Sequence, residues 1–232
     1  MEAVLRELAS LEERCEPILS RIQREKSHLY CEGLKAKLTQ TLYALDRLNE
    51  FNNRSDETES TTDDKAYPIS LQVSFYCDSF WTFLYSNLDV LSQIVNQTMN
   101  LGLNEKNVSF SKVKDKLQGN QYVTTKVSKA YKDCYKSFAY RNLDKYRNCS
   151  NHRREIFIEE VSVSRSVKRT AGYTTTSTGG SSKTVTRILC DDPLTHNPKI
   201  ERNRKIPDYM TETKQKIEKF IAEIVRKIVP SR

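Results

Sequence analysis

The sequence predicts a mainly α protein, a helical bundle with an inserted β-hairpin before the C-terminal helix. Three observations lead there. Apolar residues recur at alternating steps of three and four over most of the chain, the period of a helix and not of a strand. One region after residue 154 breaks that period with two β-branched, partly alternating segments. No internal repeat is visible, so residues 1–232 are assigned to a single domain, long enough to bury one sizeable core.

The elements follow in order. Val4, Leu8, Leu11, Cys15, Ile18 and Ile22 open a helical stripe that continues through Leu34, Leu38, Leu42, Leu45 and Leu48. Residues 1–52 are therefore two N-terminal helices, with the break expected between Glu25 and Gly33. Residues 53–66 hold acidic and hydroxyl side chains and no large apolar one, an acidic flexible loop. Residues 69–152 carry the core helices. The strongest has a stripe of Val73, Tyr76, Phe80, Leu84, Leu88, Leu91 and Val95, thickened by Phe83 and Ile94, and belongs at the centre of the bundle. A shorter piece spans Ser109 to Leu117 and stops at Gly119. A further helix runs from about Val123 towards Arg147, with Val127, Ala130, Cys134 and Phe138 on one side and Lys129, Lys132 and Lys136 on the other. Tyrosines 122, 131, 135, 140 and 146 interleave with these cations. Residues 155–190 form the β-hairpin, its Gly/Ser/Thr-rich tip at 171–182 expected to be mobile. Residues 207–229 form the last helix, carrying Met210, Ile217, Ile221, Ile224 and Ile228 and stopped by Pro230.

Composition narrows the class. No apolar run is long enough to span a bilayer, and the first twenty residues are too charged for a signal peptide, so a soluble cytoplasmic protein without a membrane partner is expected. The six cysteines form no CxxC pair and sit mostly at apolar helix positions, which predicts reduced thiols and no metal site. No phosphate-binding Gly-rich loop, dinucleotide fingerprint or HExxH motif occurs, and no cofactor is expected. Charge is divided sharply. Residues 1–110 hold 11 Lys/Arg against 17 Asp/Glu, and residues 111–232 hold 27 against 13. A C-terminal half this basic suggests a polyanion-facing surface.

One segment carries chemistry. Tyr146-Arg147-Asn148-Cys149-Ser150-Asn151-His152-Arg153-Arg154 follows directly behind the lysine-rich helix face. Metal-independent RNA cleavage needs a base for the 2′-hydroxyl proton and a cation for the charge that builds on phosphorus. A histidine near neutral pKa serves the first role and then protonates the leaving 5′-oxygen. A guanidinium serves the second, gripping phosphate oxygens through two donors at once. Five residues apart on a continuous helix, the two side chains would diverge by about 140°. Asn148, Ser150 and Asn151 are turn and cap residues, so the helix is expected to end there and let Arg147 and His152 converge.

The segment resembles the signature of HEPN domains, an Arg followed after four to six residues by His, often with Asn directly after the Arg. Arg147, Asn148 and His152 match that motif residue by residue. Arg21 and His28 also satisfy the spacing, but only 147–152 has the Asn, the trailing arginines and the basic helix face. The resemblance extends loosely to the architecture from about Ile69 to Val229. It implies a helical bundle, commonly a homodimer, and in many members an RNase of toxin, phage-defence or RNA-processing systems. On that basis His152 would be the general acid and base, Arg147 the phosphate and transition-state ligand, and Asn148 an orienting hydrogen-bonder. Arg153, Arg154, Lys129, Lys132 and Lys136 would hold the RNA backbone. The product would be a 2′,3′-cyclic phosphate. An antitoxin or other regulatory protein is a further implied partner. Members silenced by adenylylation tend to carry Tyr two residues after the His; Arg154 stands there, which disfavours that form of control. Two other classes stay open on the sequence: a basic cleft that binds RNA or a nucleotide without cutting it, and a scaffold that binds partners through its N-terminal helices.

Overall fold

Continuous apolar stripes this long must each find a partner stripe, and the helices among the described residues do so. A computed structural model describes residues 1–51, 69–119, 125–152, 158–164, 183–189 and 206–230; of residues 69–70, 149–152, the strands and 206–207 it describes the backbone alone. The helices among the described residues are α1 (Glu2–Cys15), α2 (Arg21–Phe51), α3 (Ile69–Thr98), α4 (Phe110–Gln118), α5 (Lys126–Lys136), α6 (Phe138–His152) and α7 (Ile206–Lys227), with a 3-10 turn at Glu105–Asn107. The acidic loop, the tip at 171–182, Tyr122, Arg153, Arg154 and His196 lie outside the described residues.

The break between the first two helices falls at residues 16–20, not between Glu25 and Gly33. The reason is local. Ser20 and Gln23 form a reciprocal cap, in which Ser20 N donates to Gln23 Oε1 at 3.1 Å and Gln23 N donates to Ser20 Oγ at 3.4 Å. That cap starts a helix just after Pro17, and Gly33 then lies inside α2. Ile22, read as part of the stripe, is 68% exposed as a result.

Helices α2 and α3 lie antiparallel along their length. The Asn87 amide donates to Thr41 Oγ1 at 3.1 Å, and Phe51 stacks on Tyr76 at 6.0 Å. A β-carbon added at Gly33 would meet Val90 Cγ1 at 3.7 Å, an ordinary contact. α3 also packs on α4, α6 and α7 and occupies the centre of the core, as its stripe predicts. Phe80, Leu84, Leu88, Leu91, Ile94 and Val95 are fully buried. Its C-terminus closes with Asn100 in the left-handed region (φ 49°), which lets Leu101 N reach back to Asn96 O at 3.1 Å and buries Leu101 against the core.

α7 buries Met210, Ile217, Ile221, Ile224 and Ile228. α1 docks on it, and Arg14 donates to Ile228 O at 2.6 Å and to Val225 O at 3.1 Å. A guanidinium there satisfies carbonyls that the helix end leaves bare and complements the negative end of the helix dipole. Strands β1 (Ile158–Ser164) and β2 (Lys183–Leu189) run antiparallel, with Ile158 opposite Leu189 and Ser164 opposite Lys183. Among the described residues, no helix is long and apolar enough to cross a membrane.

Candidate active site

The helix period alone suggests one helix up to Arg147, but the chain divides at Ser137. That residue is extended (φ −66°, ψ 149°), and its Oγ accepts from Tyr140 N at 3.1 Å. A serine hydroxyl that takes up the free amide of a new first turn makes two short helices competitive with one long one. The consequence is a change of face. Val127, Ala130 and Cys134 are buried on α5, whereas Phe138, assigned to the same side, is 59% exposed at the start of α6. The core positions of α6 go to Ala139, Tyr140, Asn142, Leu143 and Tyr146.

Tyr146 fixes the rotation of α6. Its ring stacks on Trp81 of α3 at 4.4 Å with planes 7° apart, and the Tyr209 ring of α7 meets it edge-on at 6.1 Å. Tyr209 also lies hydrogen-bonded to the buried Asn142 amide through its hydroxyl. With Tyr146 locked inward, Arg147 is turned by about 100° to the rim of the core, where it is half-buried. Its guanidinium carbon sits 4.8 Å from the centre of the Tyr85 ring, and Nη1 donates to Asn148 Oδ1 at 3.0 Å. Asp89, one turn beyond Tyr85 on α3, faces the same region. Burial raises its pKa, opposed by the Phe110 amide, which donates to its Oδ1 at 3.1 Å, and by the Arg147 charge. Burial also raises the Tyr85 pKa, and the Tyr140 ring lies tilted beside it with centroids 6.4 Å apart.

α6 does not end at Asn148–Asn151. It runs unbroken to His152, so these residues do not release the helix and bring the motif's Arg and His positions together. The two positions stay about 140° apart around one axis. His152 falls on the azimuth of the exposed residues of α6, and Arg147 near the Tyr85 side.

Lys129, Lys132 and Lys136 are all exposed on α5, opposite its buried face. The interleaved tyrosines among the described residues divide: Tyr131, Tyr140 and Tyr146 belong to the core, and Tyr135 reaches the surface, with Lys114 Nζ 3.9 Å above its ring. Tyr85 and Asp89 escaped the sequence reading. Their signal was present, because they stand four apart on the flank of the α3 stripe and so share one face. Cys15, Cys31, Cys77 and Cys134 are free and buried, and burial pushes the Cys15 thiol up to about 11 and the Cys31 thiol to about 12. Such thiols are poor nucleophiles. Glu12, His28 and Glu32, on α1 and α2, bring three ligand atoms within 4.8 Å of one another. Lys35 Nζ already lies 2.6 Å from Glu32 and 3.9 Å from Glu12, supplying positive charge there, and His28 Nδ1 is 2.8 Å from Glu12.

A family model described as HEPN_Cthe2314-like HEPN matches residues 30–226, leaving out α1 and the first residues of α2. No curated protein and no solved structure matches the chain.

Proposed function

The chain belongs to the HEPN family, and from that premise we propose that it is a metal-independent endoribonuclease whose site is completed across a homodimer. The observation that carries the proposal is the pose of Arg147. A cation on the rim of the core, braced by Tyr85 beneath it and by Asn148 beside it, has its orientation settled before any ligand arrives. The Asn148 bond engages one of the five guanidinium donors, so a bidentate grip on phosphate oxygens fits the others.

The continuous course of α6 favours a site made between chains. About 140° separates the two motif positions on one helix, whereas a two-fold axis near the end of α6 would set Arg147 of one protomer beside His152 of its partner. His152 would take the 2′-hydroxyl proton and later protonate the 5′-oxygen. Arg147 would stabilise the charge on the phosphorane, and the upstream fragment would leave with a 2′,3′-cyclic phosphate. Asn148 would hold the guanidinium plane. Exposed Lys129, Lys132 and Lys136, together with Arg153 and Arg154, would attract the RNA backbone. The antiparallel pair β1–β2 is read as an insertion carried by the bundle, and a toxin or defence role under the control of a regulatory protein suits this chemistry.

Purified parent protein should cut RNA in the presence of EDTA. Arg147→Ala and His152→Ala should each lower the rate by about 100-fold or more. Arg147→Lys should recover binding better than cleavage, because it restores charge without the fork. A parent that binds RNA in a salt-sensitive manner and cuts none would instead favour the non-catalytic binding module.

A further inference from the structure

The break at Ser137 leaves one feature that the catalytic reading does not use. Phe138 opens α6 with 59% of its surface exposed, although a ring of that size has every reason to be buried. Its surroundings are cationic. Counting about 100° per residue, Arg141, Lys145 and the position of His152 all fall within about 60° of Phe138 on the same side of the helix. Arg141 and Lys145 are exposed, and exposed Lys136 stands two residues before the ring. One stripe of α6 therefore runs from an aromatic ring, past two cations, to the motif histidine.

We propose that this stripe is a track for single-stranded RNA, with Phe138 as a base-stacking platform upstream or downstream of the scissile phosphate. The inference rests on the reading of His152 as the catalytic end. From Phe138 to His152 the helix rises about 21 Å, a reach of a few nucleotides, in keeping with sites of about 4–16 nucleotides in single-strand channels. Arg141 and Lys145 lie between, where backbone phosphates would pass. A protein partner fits less well. Interface centres are depleted of charge and built from contiguous apolar area, and here the exposed ring shares its stripe of α6 with Arg141 and Lys145. A duplex also fits less well, since paired bases keep their faces stacked on one another and offer none to an exposed ring.

The test is made on full-length His152→Ala protein, so that RNA stays intact, using labelled oligouridylate of about 12 nucleotides and a duplex of the same length. Fluorescence anisotropy should show Phe138→Ala weakening the single strand by about 5- to 150-fold. Phe138→Trp should bind as the parent does, and the duplex should be indifferent to either change. Undiminished single-strand affinity in Phe138→Ala, or an equal loss for the duplex, overturns the proposal. So does dissociation of the dimer by Phe138→Ala in sedimentation, which would make the ring an interface between copies. A parent that cuts no RNA but shows the Phe138 effect would sink the nuclease reading and leave the track standing. A parent that cuts RNA without the Phe138 effect would do the reverse.

Discussion

Tyr146→Ala removes the ring that sets the rotation of α6, and its cost follows from the packing around it. The side chain is wholly buried, stacked on Trp81 at 4.4 Å and met edge-on by Tyr209. Truncating a large buried aromatic costs about 3–5 kcal/mol, because the transfer energy of the ring and a residual cavity add. About 0.5–1.5 kcal/mol of this belongs to the aromatic pairing itself, which a double-mutant cycle with Trp81→Ala isolates. For a chain of this size, about 2–4 °C of melting temperature per kcal/mol gives a fall of about 6–20 °C. Urea unfolding followed by circular dichroism measures the loss, and calorimetry measures the shift. Tyr146→Phe keeps the stack and should recover most of the stability. RNA cleavage by Tyr146→Ala should fall even under conditions where the protein is fully folded, since Arg147 loses its fixed azimuth. A cost below about 1 kcal/mol, or a cycle with no coupling to Trp81, would refute the view that this stack orients the motif.

Ser20→Ala should destabilise the protein by about 0.5–2 kcal/mol, since the cap at the start of α2 is lost; urea unfolding reads it directly. Asp89 gives a pH signature. Its folded pKa is raised by burial, so between the unfolded pKa and the higher folded one the folded state holds more protons, and stability falls as pH rises through that window. Asp89→Asn keeps an acceptor for the Phe110 amide and should flatten that fall in melting curves taken across mildly acidic pH. Replacing Lys129, Lys132 and Lys136 together by Ala should weaken RNA binding without changing its sequence preference. It should also make the slope of log affinity against log salt shallower by about 2, at about 0.7 per phosphate contact on a single strand.

What the sequence made legible was whatever depends on period. The α3 stripe, the Ser109–Gly119 helix and the apolar residues of α7 could be read because burial imposes the spacing directly. The breaks were harder, because each depends on one side chain competing with a backbone bond. Ser20 with Gln23 is a recognisable cap pattern that outranks the glycine at 33 as a boundary. Ser137 has only its own hydroxyl to mark it, and missing it put Phe138 in the core. The motif could be found as a spacing, but the partners of Arg147 could not, since Tyr85 and Asp89 come from a helix about 60 residues earlier and meet it only through tertiary packing. The continuous course of α6 through Asn148–Asn151 shows the opposite bias: residues that favour turns stay helical where neighbouring turns are well anchored.

The central claim is that Arg147 and His152 act together across a dimer. Mixing Arg147→Ala with His152→Ala protein tests it most directly, after confirming by sedimentation that each variant is dimeric and by assay that each alone cuts no RNA. Subunit exchange then forms heterodimers in which one of the two clefts has both intact groups, Arg147 from one chain and His152 from the other. With random exchange about half the dimers are mixed, so about one quarter of parent activity should return. A mixture that exchanges subunits and remains as inactive as its components would contradict the account.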